Sequence, residues 1–167
     1  MAFPRPLPWF YAVAAVVLAS DQWTKSWIWS HLTHPGAGRT VIPGFFDLTF
    51  VSNTGIAFGL FQSRNGLLAL VVIAILAAGF WVSRELDWRK FEVNLLAGCV
   101  VGGALGNLID RLRFGYVVDF LDFNLGFMRW PAFNIADAAI SCSVVWILVR
   151  ILWDDFLERK KADRKPD

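Results

Sequence analysis

Two aspartates, Asp119 and Asp137, stand in apolar surroundings beside membrane-length hydrophobic segments. Asp119 lies in Tyr116-Val117-Val118-Asp119-Phe120, and Asp137 lies in Phe133-Asn134-Ile135-Ala136-Asp137-Ala138-Ala139-Ile140, at the head of a long apolar run. A carboxylate near hydrocarbon is costly unless it is paired, hydrated or protonated, so an acid there is a functional-site hypothesis. Two neighbouring carboxylates do not both ionise cheaply: one holds a proton, and the pair titrates as a unit. An aspartic peptidase uses that state. Its ionised member takes a proton from the attacking water while its protonated member polarises the amide carbonyl. The structural alternative for either residue is a bond to a neighbouring helix or an ion pair with Arg111 or Arg113.

Other polar residues fall near these two. Asn134, three residues before Asp137, is expected on the same helix face, where it could orient the dyad or bind a substrate carbonyl. Asn107, Asp110 and Arg111 cluster at the end of the third apolar segment. An Asp110 to Arg111 ion pair is the simplest structural explanation, yet adjacent residues do not share a helix face, so their partners are expected on other elements. Asp21 and Lys25, four apart, read as an intrahelical ion pair with a structural role. Asn53 follows a strand-like run and is a good turn residue. His31 and His34 precede Pro35-Gly36, which argues against a helical metal pair, and Cys99 and Cys142 have no partner at ligand spacing. No metal, cofactor or disulfide is expected.

The elements that must position these residues are membrane spans. The 167 residues are 56% hydrophobic and 18% charged, against about 25% charged in an ordinary soluble domain. Apolar stretches approach the ~20 residues needed to cross a bilayer. A single domain over 1–167 is expected, with four spans at about 9–29, 67–83, 91–110 and 132–150. The first span mimics a secretory signal peptide, but its hydrophobic character resumes at Trp23, Trp27, Ile28 and Trp29, like an interfacial aromatic belt. Basic residues in the 83–90 loop and the C-terminal tail place both termini in the cytoplasm by the positive-inside rule, so the loops at about 30–66 and 111–131 face outward. The small formal charge of +2 gives no reason to expect a nucleic-acid partner.

Within the outer loops, Thr40-Val41-Ile42 and Phe45 to Val51 read as short strands, with Tyr116 to Phe123 as a possible partner. Gly98, Gly102 and Gly106 make one smooth face for close helix packing. Gly55, Gly59 and Gly66 around Ile56 to Gln62 suggest a lid. The run Leu96-Ala97-Gly98-Cys99 matches a lipid-attachment pattern, but its position in a third helix makes the match a coincidence. Phe58, Phe127, Met128 and Trp130 are candidates for a lipid-facing opening or ordinary interfacial aromatics.

Four short motifs in order give the chain a close resemblance to the bacterial lipoprotein (type II) signal peptidases. They are Asp21-Gln22-x-x-Lys25; Asn53-x-Gly55-x-Ala57-Phe58; Gly106-Asn107-x-x-Asp110-Arg111 with Gly115-x-Val117-Val118-Asp119-Phe120; and Phe133-Asn134-x-Ala136-Asp137. The resemblance implies an all-α polytopic membrane protein with four transmembrane helices, a small extracytoplasmic β-sheet and a short interfacial helix. It also implies an inner-membrane aspartic endopeptidase with Asp119 and Asp137 as its dyad. Such an enzyme cuts before the lipid-bearing Cys of diacylglyceryl-modified prolipoproteins, in contact with membrane lipid, and is a target of globomycin. Asn53, Asn107, Arg111 and Asn134 would contact substrate or support the dyad, while Asp21, Lys25 and Asp110 would hold the architecture. Ile56 departs from the family's usual Ala and bears on fine specificity. Two other classes remain open: a small proton-coupled transporter subunit using the same aspartates as a relay, and a membrane scaffold.

Overall fold

A computed structural model describes residues 5–55 and 64–162. The elements run α1 (Pro8–His31), β1 (Gly38–Ile42), β2 (Phe46–Asn53), α2 (Asn65–Val82), α3 (Phe91–Phe114), β3 (Val117–Phe123) and α4 (Ile135–Ala162). Three helical segments are long and apolar enough to cross a membrane: Asn65–Glu85, Phe91–Phe114 and Ile135–Lys161, with mean hydropathies of 2.5, 1.5 and 2.0. The helix α1 has 24 residues and begins with Pro8 in its first turn, where a missing N–H costs nothing. Its Asp21 and Lys25 are buried inside the protein. The expected segment Ile56 to Gln62, with Ala57 and Phe58, lies outside the described residues. Among those described, the one short helix is a 3-10 turn, Ser83–Glu85, that follows α2.

The central helix is α3, packed on α1, α2 and α4, while α1 also touches α4. Its glycines permit this closeness. A Cβ on Gly102 would stand 2.6 Å from the Ala14 carbonyl oxygen of α1, and one on Gly103 would stand 2.7 Å from the Ala136 carbonyl oxygen of α4. The glycine face read from the sequence therefore meets α1, and a neighbouring glycine serves α4. At the other end of the bundle, fully buried Asn94 donates to the Trp88 and Lys90 carbonyls and accepts from the Leu7 N–H. It thereby ties the start of α1 to the start of α3.

The helix α3 stops at Gly115, whose φ of 80° suits a residue without a Cβ, and the Gly115 N–H closes the last turn on the Arg111 carbonyl at 3.2 Å. The chain turns into β3, which completes an antiparallel three-stranded sheet in the order β1-β2-β3. Both strand-like runs and their partner at Tyr116 to Phe123 are thus present. Val118 and Phe120 on one face of β3 join Ile28 of α1 and Phe50 of β2 in a buried cluster. Alternation along the strand turns Asp119 to the opposite face. The β2–β3 register shifts between Leu48 and Val51, a bulge that re-aims the end of β2 beside the acids.

Three helix boundaries differ from expectation: α3 runs on to Phe114, past the expected end near 110, and both ends of α4 are displaced. The fourth helix starts at Ile135 rather than near 132, because Phe133 pairs with Leu121: the Leu121 N–H donates to the Phe133 carbonyl at 2.8 Å and the Phe133 N–H to the Leu121 carbonyl at 3.2 Å. It also continues to Ala162, well past the expected end near 150.

Candidate active site

Asp119 arrives on β3 and Asp137 on the first turn of α4, and Asn134 joins them. The Phe133–Leu121 pairing lays Asn134 against β3, where its Nδ2 donates to Asp119 Oδ1 at 2.7 Å. Asn134 is not on the helical face of Asp137; it is the residue that caps the helix. Its Oδ1 accepts from the Asp137 N–H at 2.9 Å, and Asp137 Oδ2 accepts from the Asn134 N–H at 3.4 Å. This reciprocal arrangement is a capping box with Asp in the place usual for Glu. The same amide that holds Asp119 thus fixes the turn that carries Asp137.

Each carboxylate has a second amide partner. Asn53, the last residue of β2, donates from Nδ2 to Asp119 Oδ2 at 2.8 Å while its Oδ1 accepts from the Gly55 N–H at 2.9 Å. Asn107 of α3 donates from Nδ2 to Asp137 Oδ1 at 2.7 Å. The orientation of the Asn107 amide is forced, since its Oδ1 accepts from the Lys25 ammonium at 2.8 Å and from Asn134 Nδ2 at 3.1 Å. Only the NH2 end is left to face Asp137.

Behind Asn107 lies a buried ion cluster. Lys25 bridges Asp21 at 2.8 Å and Asp110 at 3.0 Å, with relative exposures of 4%, 0% and 1% respectively. The intrahelical pair expected for Asp21 and Lys25 is present. The Asp110–Arg111 pair is not, because Asp110 faces α1 and also accepts from the Val118 N–H at 3.1 Å. Asp21 in turn accepts from the Ala136 N–H at 2.9 Å, fastening α4 to α1. Removing one partner from such a buried group costs ~3–5 kcal/mol, which makes the cluster a rigid footing for Asn107. Arg111 points the other way, donating to the Gly55 carbonyl at 3.2 Å and the Asn107 carbonyl at 3.4 Å.

All nine residues singled out by sequence therefore belong to one hydrogen-bonded assembly at the sheet end of the bundle. Two more join it: Gln22, which sequence reasoning placed in a motif without giving it a role, and Asn65, which it passed over. Gln22 donates to Asp110 Oδ1 at 3.0 Å and to the Gly106 carbonyl at 3.2 Å, and Asn65 donates to the Arg111 carbonyl at 3.0 Å. Gln22 had a signal in its place inside an apolar run; Asn65 had none.

Asp119 is 1% exposed and forms no ion pair among the described residues, and neither does Asp137. Burial pushes the Asp119 carboxyl up from the ordinary 3.8 to about 7, and the nearby charge of Asp137 adds to the rise; the Asn53 amide, Lys25 and Asn134 pull against it. A carboxyl held there is partly protonated near neutrality, the condition under which two neighbouring acids can share a proton.

The chain matches the family described as Signal peptidase (SPase) II over residues 13–153. A "Lipoprotein signal peptidase" of Oleidesulfovibrio alaskensis is 43% identical over 148 residues, which cover 84% of this chain and 92% of that protein. One from Syntrophus aciditrophicus is 37% identical over 166 residues, 94% of this chain and 97% of the relative. The fold is similar to a bacterial membrane enzyme solved by the in meso method at 2.3 Å resolution, with a TM-score of 0.79 and 30% identity over 95% of this chain and 92% of that one. A second bacterial membrane enzyme, solved in meso at 1.9 Å, gives a TM-score of 0.78 and 29% identity over 91% and 98%. A family match of this extent, joined by relatives of this identity along nearly their whole length, makes the chain a member of the signal peptidase II family.

Proposed function

We propose that the chain is an aspartic endopeptidase that removes the signal peptide from diacylglyceryl-modified prolipoproteins, cutting before the lipid-modified Cys, with Asp119 and Asp137 as its dyad. The observation that carries the reading is a pair of carboxylates from separate elements, both bonded to Asn134 and neither matched by a cation among the described residues. Asp119 carries the shared proton and donates it toward the scissile carbonyl. Asp137, held by Asn107 and by its own helix cap, takes a proton from the attacking water. Asn53, Asn134 and Arg111 line the approach and support the dyad, while Asp21, Lys25 and Asp110 fix Asn107 and the start of α4.

The whole of 1–167 acts as one membrane peptidase domain with α1 as a fourth span. A 24-residue helix reaches ~36 Å, enough to cross the hydrocarbon. Its charged residues, Asp21 and Lys25, turn inward to α3 and α4 rather than to lipid. Arg84, Arg89 and Lys90 after α2, with the basic end of α4, support a topology in which both termini lie on the cytoplasmic side of a bacterial inner membrane. The sheet and dyad then stand near the outer leaflet, where a lipidated Cys would arrive. Both α2 and α4 pack on α3 without comparable contact between themselves, which leaves a lateral path for a signal helix. Globomycin-type peptides are expected to compete for that path. The transporter reading has no support in the family or the relatives, and the acids gather at one end instead of forming a relay.

The test is digestion of one precursor with and without its diacylglyceryl group, in proteoliposomes, with products identified by mass spectrometry. Cleavage before the Cys of the lipidated form alone is expected; equal cleavage of both forms would refute the substrate assignment.

A further inference from the structure

On the α1 side of α3, apart from the dyad, a cavity of about 280 Å³ opens between the sheet-end turns of the two helices. Ser26 and Trp29 of α1 and Arg113 and Phe114 of α3 line it, with buried Lys25 and Asp110 as its inner wall. Arg113 is exposed and makes no hydrogen bond or ion pair among the described residues; its guanidinium lies 5.2 Å from the centre of the Phe114 ring. Ser20, Thr24 and Ser30 of α1 all bond back to carbonyls of their own helix. Ser26 is the exception among the Ser and Thr residues of α1, so its hydroxyl is free to serve a ligand. Trp29 stacks on Phe114 with ring centres 5.1 Å apart, giving the cavity a flat apolar side. The inner cluster of Asp21, Lys25 and Asp110 carries a net negative charge, but it is buried, and the oxygens of Asp110 are taken up by Lys25, Gln22 and the Val118 N–H, so the charge that meets a ligand at the exposed mouth is that of Arg113.

A free guanidinium, a free hydroxyl and an aromatic pair at the end of two membrane helices form a site for an anionic headgroup with acyl chains attached. We propose that this crevice binds the phosphodiester of an anionic membrane phospholipid, with Arg113 and Ser26 donating to its oxygens and the Trp29–Phe114 pair against its glycerol. Exposed Trp23, three residues before Ser26 on the same face of α1, offers apolar surface for the chains. The inference rests on the reading that the sheet end of the bundle lies at a membrane surface. Arg113, the charge at the exposed mouth of the crevice, favours a net negative headgroup over a zwitterionic one.

Delipidated full-length protein in detergent, titrated with phosphatidylglycerol and followed by native mass spectrometry, tests it. One lipid should bind more tightly than phosphatidylcholine does, about tenfold more weakly to Arg113→Gln, several-fold more weakly to Ser26→Ala, and near normally to Arg113→Lys. Millimolar inorganic phosphate should leave binding unchanged. Both positions are exposed, and an unchanged circular dichroism spectrum identifies variants that still fold. Equal affinity of wild type and Arg113→Gln, or equal binding of the two lipids, overturns the proposal; displacement by inorganic phosphate overturns it in favour of a free-anion site. Because the readout is binding alone, loss of peptidase activity elsewhere does not imitate failure here.

Discussion

Asp119 sets the pH behaviour of the site. Its carboxyl is held up near 7 by burial and by Asp137, so the folded protein keeps a proton that the unfolded chain releases around 3.8. The stability this group contributes is fully present below the unfolded value and is lost as pH rises through about 7. Activity that needs one proton on the pair should fall over the same alkaline limb with a one-proton slope, measured as kcat/KM against pH. Asn53 donates to this carboxylate and favours its charged form. Asn53→Ala should therefore slow cleavage roughly tenfold and move the alkaline limb to higher pH, as expected for the loss of one oriented hydrogen bond. A limb that stays in place would mean Asn53 serves only the fold. Asn53 read only as a turn residue until the family resemblance gave it a role, whereas the importance of the two acids was legible because charge is out of place in apolar runs. The way Asn134 works was not. Its spacing from Asp137 fits a shared helix face or a cap equally well, and the choice is made by the Phe133–Leu121 bridge, a contact across the fold.

Elements are fitted to one another through their smallest residues. A Cβ on Gly106 would stand 2.5 Å from Asp21 Oδ2, so Gly106→Ala must push α1 and its ion cluster away from α3. A destabilisation of ~1–3 kcal/mol is expected, the usual cost of overpacking, with a lower melting temperature in detergent. Gly79 in α2 has nothing within 4 Å of the same position, and Gly79→Ala should be neutral or slightly stabilising by the helix propensity of Ala. Equal effects of the two would deny that α1 and α3 need the close approach. The glycine spacing made this face readable in sequence, and alternating β-branched and aromatic runs made the strands readable. The length of α4 was hidden, since its charged end reads as a solvated tail. Arg150 to Asp154 at 3.5 Å and Asp155 to Arg159 at 2.9 Å are i,i+4 pairs that support helix beyond the apolar part.

At the scale of the whole molecule, a bundle with its acids gathered at the sheet end suits a substrate whose scissile bond lies at one membrane face. The topology this requires is testable with single cysteines after Cys99 and Cys142 are replaced by Ala. Asp87→Cys should react with an impermeant maleimide only from the cytoplasmic side, and Phe127→Cys only from the outer side; labelling of both from one side would contradict four spans. The central claim is that Asp119 and Asp137 act as one catalytic pair. Its most direct test is single-turnover cleavage of a diacylglyceryl-modified precursor by wild type, Asp119→Asn and Asp137→Asn, each shown to be folded. The account predicts that each substitution lowers the rate by at least about a thousandfold, of the order expected when a member of a cooperating catalytic group is lost. Either folded variant cleaving near the wild-type rate would contradict it.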